Sequence, residues 1–337
     1  MENKKVSVVI PCRNEEKNIR GCVESILGSN YNNLEVVVVD GMSDDNTREI
    51  LSEMTKEYSN VKFVDNPHKL TPFAFNIGSK AATGFYVQIV GSRNTLDPDY
   101  IHLLVQALES NPEIACVGGD YQHAYDTDFS RFITYAMESK FGVGSSNYRT
   151  KKESAFVDTV GIPMYRKSIF DEIGYFDERL TRNQDDDFNY RVTQKGYKIF
   201  YVFEAKTQYF VRGSLKKLFK QFSQYGYFKV FVNKKHKTVT TLRQLVPVIF
   251  LLFLILGLPL SIFVSKFVYL YALGILLYLF VGAMSSMIFT KKPFEIIATQ
   301  LSALVMHIGY GWGYLKGIFD FLILGREPSS NMKKQTT

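Results

Sequence analysis

Val6-Ser7-Val8-Val9-Ile10-Pro11-Cys12-Arg13-Asn14-Glu15-Glu16, followed by Leu34-Glu35-Val36-Val37-Val38-Val39-Asp40-Gly41-Met42-Ser43-Asp44-Asp45-Asn46-Thr47, decides the fold. Each half is an apolar run that breaks abruptly into polar and turn-forming residues, as a buried parallel strand does when its carboxyl end opens into a cleft. In open α/β sheets nucleotides bind at that end. Further apolar runs at 61–65, 85–90 and 114–118 alternate with helical stretches, the pattern of a mostly parallel sheet with right-handed crossovers. Asn14 is expected to cap a helix whose first turn holds Glu15 and Glu16. Thr71-Pro72 and Asp97-Pro98 each put a capping residue before a proline, and Asp44 reads as a cap.

Beyond residue 120 the alternation weakens. Gly174 to Glu178 reads as a turn after a short helix, and Asp185 to Lys195 as a helix ended by Gly196. Lys216 to Asn233 spaces Leu218, Phe219, Phe222, Tyr225, Phe228 and Val232 between lysines, which predicts an amphipathic helix at a membrane interface or one packed on the preceding domain. Gln221, Tyr225 and Lys229 on this stretch are candidate acceptor or interface residues. Leu245 to Val264 and Phe267 to Phe289 carry no charge, and each can cross about 30 Å of hydrocarbon, so together they predict a transmembrane hairpin. Residues 294–324 are apolar but hold Glu295, His307, Lys316 and Asp320, which leaves a third span and a re-entrant segment both open.

Charge divides the 337 residues as sharply as hydropathy does. Residues 1–205 hold 23 Lys and Arg against 30 Asp and Glu, and residues 206–337 hold 17 against 3, so net charges of −7 and +14 make up the overall +7. Ten of the basic residues lie between Lys206 and Arg243, beside the first apolar run. That placement marks the cytoplasmic side of a span and argues against nucleic acid as a partner. The first strand begins close to residue 1, and Cys12, Cys22 and Cys116 lack metal-ligand spacing. The expectation is therefore a reducing compartment, with residues 1–243 in the cytoplasm of a bacterial or archaeal cell and a multi-pass anchor in its plasma or inner membrane.

The two opening segments resemble those of family 2 glycosyltransferases of the GT-A fold. The resemblance implies a Rossmann-like, mostly parallel α/β sheet with flanking helices over 1–210, followed here by a juxtamembrane segment 211–243, a membrane region 244–325 and a tail 326–337. It also implies that Asp40 binds the base of a nucleotide-sugar, a UDP-sugar as first expectation, and that Pro11, Arg13 and Glu15 form the first nucleotide loop. Asn183 to Arg191 is similar to the family's Glu-Asp signature, with Gln184 where the glutamate stands and Asp185 on the catalytic aspartate. Three adjacent carboxylates raise one another's proton affinity, which suits Asp185, or its neighbour Asp186, to act as a base.

Where relatives carry an Asp-X-Asp pair for Mg2+ or Mn2+, this chain reads Gly91-Ser92-Arg93. No metal ligand is assigned, and two explanations stay open. Ser92 and Arg93 bind the diphosphate themselves, a guanidinium supplying a fork for two phosphate oxygens, or metal and catalysis are lost; Asp97 and Asp99 are the candidate substitute ligands. Within the family the chain is similar to bacterial enzymes of exopolysaccharide assembly, of the succinoglycan type, through 40–44, 157–159, 183–191 and Tyr225-Gly226. That implies a membrane-attached inverting hexosyltransferase extending a polyprenyl-diphosphate-linked glycan. The alternatives are a non-catalytic relative and a transferase acting on polyprenyl phosphate itself.

Overall fold

A computed structural model describes residues 3–125, 127–144, 151–210, 213–328 and 332. The chain divides into two compact units, Met1–His123 with Asn147–Phe210, and Ala124–Ser146 with Val211–Thr337. Residues 124–146 therefore group with the C-terminal helices and not with the sheet that surrounds them in sequence.

The first unit opens with β1 (Val6–Cys12), α1 (Ile19–Leu27), β2 (Leu34–Asp40), α2 (Thr47–Glu57), β3 (Val61–Asp65), α3 (Thr71–Ala81) and β4 (Tyr86–Ile89). It continues through β5 (Asn94–Leu96), α4 (Tyr100–Ser110) and β6 (Ile114–Ala124). The second unit takes α5 (Asp128–Glu138) and α6 (Lys140–Val143). The chain then returns to the first for β7 (Ala155–Val157), β8 (Met164–Arg166), α7 (Ser168–Ile173), α8 (Gln184–Gln194) and β9 (Lys198–Phe210). The strands form one sheet of order β3-β2-β1-β4-β8-β6-β9-β5, with β7 on β9. β3, β2, β1 and β4 run parallel, and β8 is antiparallel to β4 and β6.

Because successive strand residues face opposite sides, the apolar runs supply two cores at once. Val6, Val8, Ile10, Val36 and Val38 pack with residues of α1, α2 and α4, while Val9, Val37 and Val39 pack with α3, α7 and α8. Strand order reverses at β1, whose neighbours are β2 and β4, so the crevice beyond the carboxyl ends of β1 and β4 is the topological switch point.

Helix starts depart from the sequence reading. α1 begins at Ile19 and not at Asn14, which adopts a positive φ of 55°. The amides of Asn14, Glu15 and Glu16 are satisfied by Ser43 Oγ (2.9 Å), Thr47 Oγ1 (2.9 Å) and Asp45 Oδ2 (3.2 Å), so the neighbouring loop does what a helical turn would have done. Asp45, not Asp44, accepts from the Thr47 amide at the start of α2 (3.0 Å). Thr71 lies inside α3, whose cap position is Leu70, and α4 starts after Asp99 and not after Asp97.

The second unit adds α9 (Leu215–His236), α10 (Val246–Phe263), α11 (Phe267–Ser286) and α12 (Pro293–Gly317). Leu242–Phe263 and Phe267–Ser286 are long and apolar enough to cross a membrane; α12 is not among the described helices that are. Leu218, Phe222, Phe228 and Val232 of α9, predicted to face a membrane interface, are buried. The reason is glycine. A Cβ on Gly226 would stand 2.1 Å from Tyr310 O, and one on Gly313 1.9 Å from Ser223 O, so bare backbone lets α9 and α12 close on one another. α5 is held in this unit by Arg131 on Glu295 (3.1 Å) and by the Phe132 ring against Phe294. Of the tail 326–337, Lys333 and Lys334 lie outside the described residues.

Candidate active site

The carboxyl ends of β1, β2 and β4 are tied together by backbone bonds from Gly41 N to Cys12 O (2.8 Å) and from Val90 N to Val9 O (3.0 Å). Asp40, the last residue of β2, is fully buried. A buried carboxylate costs several kcal/mol unless its oxygens are satisfied, and here they are. Ser43 Oγ donates to Oδ1 (2.5 Å), the Ser43 amide donates to Oδ2 (3.1 Å), and Arg48 Nη1 donates to Oδ2 (2.5 Å). Arg48 also reaches Asp65 Oδ1 (2.8 Å), the register partner of Asp40 on β3, and these two carboxylates, Asp65 first, hold the guanidinium further in its charged form. Burial, with the nearby Asp40 charge, pushes the Cys12 thiol well up and keeps it protonated.

Sequence reasoning assigned Asp40 but missed Arg48. The available signal was a helix opening at Thr47, whose first turn faces back to the strand that precedes it.

Pro11 is half-buried in β1. Arg13 packs over Gly41, where a Cβ would meet its own Cβ at 3.2 Å, and its guanidinium stands 4.0 Å from Asp44. Glu15 and Arg93 meet each other. Arg93 Nε donates to both Glu15 oxygens, at 2.9 and 3.0 Å, and Asn18 Nδ2 donates to Glu15 Oε2 at 2.8 Å. Ser92 is buried beside them in the turn from β4 to β5.

The divalent cation that the resemblance implies does not fit the residues at this turn. Gly91 offers no ligand, a Cβ there would stand 2.7 Å from Asn94 Oδ1, and Arg93 brings a positive charge. Asp97 and Asp99 do not replace the missing pair. Asp99 Oδ1 accepts from Asn30 Nδ2 (2.7 Å), and Asn30 N donates to Pro98 O, in the loop that feeds the first residue of β2. That is the opposite end of the strand from Asp40, roughly 20 Å away at about 3.3 Å per residue. Among the described residues no group of three or more His, Cys, Asp or Glu side chains is arranged to hold a metal.

α8 reaches the same end of the sheet through the loop before β8. Ile89 N donates to Pro163 O (2.9 Å), and Asn189 Nδ2 donates to Thr159 Oγ1 (3.0 Å). Helical geometry then sorts the three aspartates that the sequence presents as equals. Asp187 is fully buried and pairs with Arg191 (3.1 Å), which also donates to the carbonyls of Ile173 and Tyr175. Asp186 accepts from Asn183 Nδ2 (2.9 Å), and Asp185 is exposed on the first turn and accepts from the Asp186 amide (2.9 Å). Gln184 is buried, and its Oε1 has no partner among the described residues. In the second unit Gln221 Nε2 donates to Tyr225 OH (2.8 Å), and Lys229 is buried on the same helix.

A mixed sheet whose parallel β3-β2-β1-β4 half reverses its strand order at β1 and ends in a buried aspartate, with helices on both faces, is the architecture of the GT-A fold. Residues 7–174 match the model of glycosyl transferase family 2; the chain belongs to that family and is a glycosyltransferase. It is 28% identical over 328 residues to the succinoglycan biosynthesis protein ExoA of Rhizobium meliloti, covering 93% of this chain and 95% of that one. It is equally 28% identical over 322 residues to a Methanococcus voltae enzyme, covering 93% and 97%. That enzyme is named dolichyl N-acetyl-α-D-glucosaminyl phosphate 3-β-D-2,3-diacetamido-2,3-dideoxy-β-D-glucuronosyltransferase. Among solved structures, GalNAc-T7 with UDP, GalNAc and Mn2+ aligns with a TM-score of 0.52 at 19% identity, over 63% of this chain and 45% of that one, a likeness of fold.

Proposed function

We propose that this protein is a membrane-attached, inverting glycosyltransferase that moves a sugar from a nucleotide-sugar to a sugar carried on a lipid phosphate, in exopolysaccharide or lipid-linked glycan assembly. The observation that carries the reading is the buried Asp40 carboxylate at the carboxyl end of β2, held by Arg48 and Ser43 inside the family 2 segment. In this reading the base sits against the Asp40–Arg48 pair, and Pro11, Arg13 and Glu15 frame the nucleotide. Asp185, exposed at the first turn of α8, takes the proton from the acceptor hydroxyl as that oxygen attacks the anomeric carbon and the nucleoside diphosphate leaves from the opposite face. One base and direct displacement give inversion. Gln221, Tyr225 and Lys229 are proposed to serve the acceptor.

The acceptor class is supported by the relatives, one named for succinoglycan biosynthesis and the other for a sugar on dolichyl phosphate. Attachment is supported by two helices of spanning length, and a cytoplasmic sheet unit by the acid-free basic stretch from Lys206 to Arg243 beside them. The test is transfer by the detergent-purified chain from UDP-, GDP- and dTDP-sugars to polyprenyl phosphate and to a polyprenyl-linked monosaccharide. Label entering the second acceptor, with the anomeric configuration of the donor inverted, is the expected result. Transfer to bare polyprenyl phosphate alone would replace the acceptor assignment, and retained configuration would remove Asp185 from its role as base.

A further inference from the structure

We propose that the donor diphosphate is gripped by Arg93, anchored through Glu15, in place of a divalent cation. This rests on the reading of the β1–β4 crevice as the donor site. Glu15 follows β1 and Arg93 follows β4, so the pair spans the two strands between which the sheet reverses its order. Glu15 is a fixed anchor. Its side chain is nearly buried, it also holds Asn18, and its amide donates to Thr47 Oγ1 at 2.9 Å. Arg93 spends Nε on that anchor, while its two terminal nitrogens make no hydrogen bond among the described residues.

A guanidinium held by one edge presents the other as a rigid pair of donors, the geometry that two phosphate oxygens match. Glu15 lowers the local charge but stops the long side chain from wandering, so little rotamer freedom remains to be lost on binding. Arg13, whose own partner Asp44 is 4.0 Å away and exposed, supplies a second cation on the β1 side. The same arrangement turns a metal ion away, because Arg93 places a fixed positive charge where such an ion would sit and Gly91 supplies no ligand.

Isothermal titration of the full chain in detergent with UDP, GDP and dTDP, in EDTA and in Mn2+, tests the proposal, with the matching nucleoside measured in parallel. The best diphosphate is expected to bind with Kd values within about 3-fold of each other in the two media. Arg93→Ala should weaken it by about 10-fold or more in EDTA and leave nucleoside affinity unchanged, and Arg93→Lys should recover part of the loss. Glu15→Gln should give an intermediate loss, since it loosens the anchor and leaves the cation. Diphosphate binding that requires Mn2+ and ignores Arg93→Ala would overturn the proposal while leaving the donor site in place. Absence of binding for every nucleotide in both media would remove the donor site itself, and with it the role of Arg93. Equal loss of nucleoside and diphosphate in Arg93→Ala would make Arg93 a fold element and refute the phosphate grip.

Discussion

Glu35 provides a test of what holds the sheet together at the end away from the site. It lies on β2 in register with Ser7 of β1 and is buried. Its Oε1 accepts from Ser7 Oγ (2.5 Å) and from the Thr83 amide (2.7 Å) and hydroxyl (2.8 Å), and its Oε2 from Lys5 and Lys62 (3.2 Å each). Burial alone would raise the carboxyl's pKa, but the donors from Ser7, Thr83 and Lys5 outweigh it and hold the group at about 2 against an ordinary 4.5. At about 1.4 kcal/mol for each tenfold change in proton affinity, that difference amounts to about 3 kcal/mol of folding stability. The two lysines are each about 40% exposed, so their share is the part that salt screens.

Since the folded carboxyl binds its proton more weakly than the unfolded one, the contribution is complete above about pH 4.5 and is lost as pH falls toward about 2. At pH 3 about 1.4 kcal/mol of it should remain. Glu35→Gln keeps the shape and removes the charge. Hydrogen exchange measured by mass spectrometry on peptides from β1 and β2, corrected for intrinsic rates, reads the local opening free energy directly. The mutant's slowest amides should exchange about 100-fold faster than wild type at pH 7, a gap narrowing to about 10-fold at pH 3. Equal protection at pH 7, or a gap that acid leaves unchanged, would refute the reasoning.

Asp40→Ala removes one of the two carboxylate partners of Arg48 and should weaken nucleotide-sugar binding by about 1–3 kcal/mol by calorimetry; unchanged affinity would move the nucleotide away from β2. Asp185→Asn should lower turnover by roughly 100-fold or more while donor binding holds, and a larger loss from Asp186→Asn would shift the base by one residue. Asp187→Asn should act on stability instead, costing about 3 kcal/mol because Arg191 is left without its buried partner; a mutant that melts like wild type but fails to turn over would reverse the two assignments. The full chain should stay with the membrane pellet through a carbonate wash, and its release into the aqueous fraction would contradict attachment.

How far the sequence reads depends on whether each feature is fixed by near or by distant residues. β2 has the bounds its apolar run sets, because burial on both faces favours near-continuous hydrophobicity, and the edge strand β3 has the expected bounds with only Val61 buried. The start of α1 was misread for the complementary reason. Asn14-Glu15-Glu16 has the composition of a helix opening, but its amides are met by Ser43, Thr47 and Asp45, which no local pattern announces. α9 shows the same limit, since its apolar spacing was legible while the glycine-lined surface of α12 that covers it lies 90 residues on, Gly313 meeting Ser223 and Gly317 meeting Tyr227.

The site divides along the same line. Asp40 was legible from its place at the end of an apolar run, and Arg48 was not, although it lies only eight residues away, because its role depends on the return of α2 across β2 and β3. Asp185, Asp186 and Asp187 are chemically alike in the sequence, and about 100° of rotation per residue makes them different groups. Asp187 turns to the core and meets Arg191 one turn on, and only the residues that precede it stay at the surface. The family resemblance put Gly91-Ser92-Arg93 where relatives carry an Asp-X-Asp pair, which left the purpose of Arg93 open. Its Nε on both oxygens of Glu15, 78 residues earlier, turns that substitution into a chemical claim. A guanidinium held at Nε leaves its two terminal nitrogens as a pre-placed pair of donors, which is what a diphosphate can use.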